Sequence, residues 1–158
     1  MNTQQLSRAQ LSLLVAMRIL IGWHFLYEGI IKLWNPNWSA AGYLSDSAGM
    51  FKEFFYWMAG NSSVLAFVDI ANVWGLILIG LGLILGIFTR WATIGGIILL
   101  LFYYLSHPAL IDVNYALPSE GSYLFVNKNL IEMAALCVLL VFPTSKVIGL
   151  DRLAVRSK

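Results

Sequence analysis

Charge is scarce in this chain. Asp, Glu, Lys and Arg make up 11% of its 158 residues, against roughly a quarter in an ordinary soluble domain. Disorder, coiled coil and nucleic-acid binding are excluded together, because each needs charge or polar bulk that is absent here. A net charge of +2 carries no argument for an acidic partner. Thiols are scarcer still. The one cysteine, Cys137, leaves no internal disulfide, no C-x-x-C pair and no cysteine-built zinc or iron–sulfur site, so no metal site is expected. Within its apolar run, Cys137 reads as a small packing residue. G-x-G-x-x-G, P-loop, C-x-x-C-H and H-E-x-x-H patterns are all missing, so no redox cofactor motif is carried by the chain itself. Apolar residues are what it has: 59% of the total, with a mean hydropathy of +0.77. A soluble protein of 17.6 kDa could not hide that surface, and the chain reads as one integral membrane unit over 1–158 embedded in the lipid bilayer.

Apolar runs at about 11–34, 64–88, 91–106 and 124–142 predict four spanning helices, since about 20 residues cross the roughly 30 Å hydrocarbon core. The first run is too long for a signal-peptide core and carries Arg18, His24 and Glu28, so it is expected to be retained. The fold expected is all-α: a four-helix transmembrane bundle with a short interfacial helix in the first outer loop. That helix is expected over 48–59, capped by Asp46 or Ser47. It is either a passive rest on the outer leaflet or a lid over a cavity. Gly82-x-x-x-Gly86 is a small-xxx-small pattern, read as intramolecular packing rather than dimerisation, with a homo-oligomer left open.

Arg8, Arg90, Lys146, Arg152, Arg156 and Lys158 fall on one side of this arrangement. Lys32, Lys52 and Lys128 fall on the other, mixed with Asp46, Glu53, Asp112 and Glu120. The positive-inside rule then predicts a multi-pass protein of the bacterial cytoplasmic (inner) membrane with both termini cytoplasmic. The long loops, about 35–63 and 106–123, would face outward. Trp34, Trp38, Tyr43, Phe51, Phe54, Phe55, Tyr56 and Trp57 would form an aromatic belt there.

Polar side chains within the apolar runs gather toward that outer side. The first run has His24, Glu28 and Lys32 at successive i,i+4 positions; the second has Asp69 and Asn72; His107 ends the third; Lys128, Asn129 and Glu132 open the fourth. Only Arg18 lies deeper, as either a structural counter-charge or a functional group. A charge at the bilayer centre costs roughly 2.5–3.5 kcal/mol on insertion scales, so these groups are expected to converge on a shared interior pocket. The competing reading makes Glu28–Lys32 and Lys128–Glu132 snorkelling surface pairs and Asp69 a helix cap. His24 and His107 lie on two helices, as axial haem ligands do. His107-Pro108 is a helix end that sets them at different depths, and haem is not expected.

Four segments carry a family resemblance: Arg18-Ile-Leu-Ile-Gly-Trp-His-Phe-Leu-Tyr-Glu28-Gly-Ile-Ile-Lys32, Asn72-Val-Trp-Gly-Leu-Ile-Leu-Ile-Gly80, Gly86-Ile-Phe-Thr-Arg90-Trp-Ala and Tyr123-Leu-Phe-Val-Asn-Lys-Asn-Leu-Ile-Glu132. Over about 12–145 the chain resembles the DoxX family, which includes the DoxD-like subunit of thiosulfate:quinone oxidoreductases. The resemblance implies a four-helix membrane protein associated with redox partners and with quinone. It directs attention to Arg18, Glu28, Lys32, Asn72, Arg90, Asn129 and Glu132, without identifying a substrate.

The leading expectation is a membrane subunit that binds quinone near the outer face and couples an exported, periplasmic or membrane, oxidoreductase to the quinone pool. Glu28, Glu132 and His24 would handle protons, while Arg18, Lys32, Asp69, Asn72, Asn129 and His107 would hold the bound molecule. Whether the chain itself catalyses anything stays open. The alternative is a non-enzymatic membrane anchor or assembly module. A proton or solute pathway has less behind it, because no inverted repeat is present.

Overall fold

The computed structural model describes residues 6–110, 113, 115–116 and 124–156. Expectations resting on Asp112, Glu120, Tyr123 and Lys158 lie outside the described residues. Helices are α1 (Arg8–Trp34), α2 (Ala41–Ser45), α3 (Lys52–Gly60), α4 (Ser62–Leu85), α5 (Thr89–Ser106), α6 (Lys128–Val141) and α7 (Asp151–Arg156), with a 3₁₀ turn at Thr144–Lys146. The described residues contain no strands. Helix α1 opens with a reciprocal capping box between Ser7 and Gln10, and Asn61 caps α4 by accepting from Val64 N.

Three helices, α1, α4 and α5, are long and apolar enough to cross a membrane. The expected four-span bundle is not confirmed, because α6 has 14 residues, about 21 Å of helix. Asn127 fixes its start by accepting from Leu130 N at 3.0 Å, and Leu124 ahead of it sits at φ +71°. Pro143 follows its end. The residues at 124–127 that hydropathy assigned to a span are therefore turn and cap.

Helices α1 and α4 make the most extensive contact, and glycines set its closeness. A Cβ at Gly80 would lie 2.5 Å from Leu26 N and 2.7 Å from Gly22 O, and one at Gly29 would lie 2.7 Å from Ile77 Cγ1. Such approach supplies packing where lipid offers no hydrophobic drive. Gly82 and Gly86 serve differently: Gly82 packs against Ala92 of α5, and Gly86 ends α4 in the left-handed conformation. Phe25, Leu83, Leu100 and Leu136 fill the centre where α1, α4, α5 and α6 meet.

The bundle has two unlike ends. One holds the tight α4–α5 turn, the start of α1 and the chain beyond α6; we call it the turn end. Helix α5 has no cap of its own, and the Asp151 carboxylate, from far along the chain, accepts from Phe88 N at 2.8 Å and Thr89 N at 3.2 Å. Burial alone would raise the pKa of Asp151; hydrogen bonds from Ser145, Thr89 and the two amides outweigh it and hold the acid below the ordinary range. The other end, the loop end, carries α2, α3 and the segment after α5. There the helix expected at the interface starts later than predicted, at Lys52 with Phe51 as its cap residue. Residues 46–49 form a docked turn instead. Ala48 N donates to Ser106 O at 2.9 Å, and Gly49 takes φ +80° with Pro108 against it. Ser47 and Asp46 face α5 and its extension rather than capping α3.

Candidate functional site

One pair joins two helices at the edge of an open space. His24 Nδ1 on α1 lies 2.9 and 3.1 Å from the two carboxylate oxygens of Glu132 on α6. The Glu132 side chain is 12% exposed and His24 38%, so the pair is sheltered but reachable. It stands on the wall of a groove of about 570 Å³ between α1 and α6, open along one side. Lys128 and Glu132 mark its loop-end part, and Leu20, Met17 and Leu13 continue it along α1 toward the turn end. His24 and Leu13 are eleven residues apart, about 16 Å along the axis. The groove is thus polar at one end and apolar over most of its length.

Two turns of polar residues lead from this pair to the loop end. Glu28 follows His24 at i,i+4, and its Oε2 pairs with Lys32 Nζ at 2.5 Å. Lys32 also lies 5.8 Å from the Trp38 ring centroid. Glu28 is 45% exposed, more than Lys32 at 17%. Lys128 stands one turn above Glu132 on α6, and Asn129 beside it is half-buried.

The loop end holds a separate cluster. His107, beyond the end of α5, stacks on Tyr43 at 3.9 Å between centroids and tilts against Tyr115 at 4.5 Å. Its Nδ1 meets Ser106 Oγ at 3.0 Å, and its Nε2 lies 3.6 Å from Asp46 Oδ2. Burial lowers the His107 pKa from its ordinary 6.5, and the nearby Asp46 charge only partly offsets this. Burial likewise pushes the Tyr43 and Tyr115 hydroxyls up. Tyr43 donates to Tyr103 O at 3.3 Å, Asn72 Nδ2 donates to Tyr103 Oη at 2.7 Å, and Asp69 Oδ1 accepts from Ala40 N at 2.7 Å. These contacts tie the segment between α1 and α3 to α4 and α5, and α4 to α5.

Arg18 lies at the turn end, 2% exposed. Nη1 donates to Thr144 Oγ1 at 3.1 Å and Nη2 to Ile148 O at 2.9 Å, fastening α1 to the chain beyond α6. Gly86 leaves room for this guanidinium; a Cβ there would come within 3.3 Å of Nη2.

The single interior pocket expected from the sequence is therefore divided. The structure brings His24 and Glu132 together, with Glu28, Lys32, Lys128 and Asn129 on the turns above. Asp69, Asn72 and His107 belong to the loop-end cluster, and Arg18 belongs to neither group. The two histidines sit in different clusters. Cys137, expected as a packing residue, is exposed on α6. Tyr43, Tyr103, Asp46 and Ser106 went unremarked as site-forming residues. Aromatics look alike in a belt and in a buried network, and only Asp46 and Tyr43 near a loop end gave any hint.

No curated protein and no solved structure matches this chain. The family model described as DoxX matches residues 13–108, from the second turn of α1 through His107 and Pro108, and this span holds most of α1 and the loop-end cluster apart from Tyr115. With three helices able to cross a bilayer and this match over more than half its length, the chain is a membrane protein belonging to the DoxX family.

Proposed function

We propose that this chain is a quinone-binding subunit that couples an oxidoreductase at its loop end to the membrane quinone pool. The observation that carries this reading is the His24–Glu132 pair at the polar end of an apolar groove open to the side. An amphiphile with a compact polar head and a long apolar tail fits that division, and lateral opening suits a ligand dissolved in lipid. A quinone supplies acceptance of two electrons and two protons. His24, with Nδ1 held by Glu132, keeps Nε2 for a carbonyl oxygen, and Glu132 fixes the ring and stabilises its protonated form. Leu13, Met17 and Leu20 would lie along the tail. In this reading the loop end faces outward from a bacterial inner membrane, both termini are cytoplasmic, and electrons arrive from a partner. Arg90, Lys146 and Arg152 at the turn end agree with that orientation.

Quinone extracted from protein purified in mild detergent tests the proposal. Wild-type chain is expected to retain it, and Glu132→Gln to bind about tenfold more weakly, roughly 1.4 kcal/mol for a charge-assisted hydrogen bond. Equal retention by both contradicts the assignment.

The loop-end cluster favours a second reading, a membrane anchor for a partner complex, because its polar groups are spent on one another. Under that reading Glu132→Gln lowers melting temperature and leaves the partner's turnover per folded molecule unchanged.

A further inference from the structure

We propose that the His24–Glu132 pair exchanges protons with water at the loop end, through Glu28, and not with water at the turn end. The proposal rests on the quinone-binding reading for its use and on the arrangement of side chains around α1 for its direction. Toward the loop end, polar groups recur at every turn of α1: His24, Glu28 and Lys32 lie on one face, with about 6 Å between successive positions. Helix α6 runs the other way, so Lys128 stands above Glu132 on the same side. Glu28 is the exposed member of this row, and its carboxylate is close enough to His24 and Lys128 to interact electrostatically with both. Tyr103 on α5, its hydroxyl engaged by Asn72, is within electrostatic reach of it as well. Glu28 and the imidazole stand one helical turn apart, a span that a water would bridge.

Toward the turn end the situation reverses. Ile21, Leu83, Leu136 and Leu139 close the interior below His24. The next polar residue on α1, Arg18, is six positions on, about 9 Å. Its guanidinium is buried, bonded to Thr144 and Ile148 O, and always protonated, so it relays nothing. The balance is simple: the imidazolium gives its Nε2 proton to the quinone oxygen, and once that oxygen has left Nε2 the proton is replaced there by one that Glu28 takes from loop-end water, after which Glu28 is a carboxylate again. Proton uptake on the side where the partner delivers electrons makes quinone reduction electrically neutral across the membrane.

The test uses uniformly oriented proteoliposomes of full-length chain with ¹⁵N-labelled histidine and separately fixed pH on each side. The chain has two histidines, told apart with His107→Phe. The His24 signal is expected to follow loop-side pH alone. Glu28→Gln should slow that response about tenfold or more, with Glu28→Asp restoring much of it and melting temperature unchanged for both. A His24 signal that follows turn-side pH, or one as fast in Glu28→Gln as in wild type, overturns the proposal. Decylubiquinone binding to the same vesicles reports the underlying reading separately. Loss of binding with an intact loop-side response overturns the quinone assignment alone, whereas binding with a turn-side response overturns the route alone.

Discussion

Helix α1 has two working faces, and they are built on opposite rules. Toward α4 it is pressed so closely that Gly22, Gly29 and Gly80 have no room for a methyl group. Toward α6 it stands off across a groove of about 570 Å³, bridged at one level by His24 and Glu132. Close packing on one side fixes the helix, so the other can remain partly open without loss of register. A membrane protein has no hydrophobic collapse between helices to fall back on, and contact must be concentrated somewhere. Here it is concentrated on α4.

Adding atoms to the two faces should separate them most sharply. Gly80→Val drives side-chain carbon into the backbone at Leu26 and Gly22. Overpacking that cannot relax costs 1–3 kcal/mol or more, and loss of most folded protein by size-exclusion and thermal melting is expected. A melting curve like that of wild type would show that α1 and α4 slide apart cheaply. Arg18→Met comes next. It leaves Thr144 and Ile148 O without their donor, about 1–3 kcal/mol for a buried unpaired group. Protease cleavage beyond α6 should rise while quinone retention per folded molecule holds; unchanged protection would mean that the Leu150 and Asp151 backbone bonds suffice.

On the open face, Ala16→Trp places a ring in the groove that Ala16 lines. Stability should shift by no more than about 0.5 kcal/mol, as for surface substitutions, while decylubiquinone affinity drops about tenfold or more. Undiminished binding breaks the comparison, since the groove would then not be where the ligand lies. The smallest effect concerns the loop end. His107 has a folded pKa below 6.5, so the unfolded or undocked loop takes up the proton more readily. Its contribution is present above pH 6.5 and is lost as pH falls through 6.5 toward the folded value. Amide exchange in the segment containing Ser47 and Ala48 should quicken over that window, and His107→Phe should flatten the dependence.

The long helices were legible because hydropathy and length are properties of the sequence alone: α1, α4 and α5 lie within a few residues of the apolar runs. The fourth run misled because Leu124, Phe125 and Val126 are as apolar as any span, yet Asn127 caps the helix behind them. A cap is a local hydrogen bond and outweighs average hydropathy. Periodicity placed His24, Glu28 and Lys32 on one face of α1, and it put Glu132 and Lys128 one turn apart. It carried no information on which helix would meet that face. Asp69, Asn72 and His107 seemed to belong with them because depth was the only coordinate available. Rotation about the helix axes turns them elsewhere: Asp69 meets Ala40 N, Asn72 meets the Tyr103 hydroxyl, and His107 stacks on Tyr43. Arg18 was ambiguous for the same reason: its partners Thr144 and Ile148 come from the far end of the chain.

The most direct test of the groove as the ligand site is photolabelling of the folded protein with an azido-quinone, followed by peptide mapping. Label divided between α1 around residues 13–24 and α6 around residues 128–135, and suppressed by decylubiquinone, is the result expected. Label confined to α3 or to the outward faces of α4 and α5, or indifferent to competitor, would contradict it.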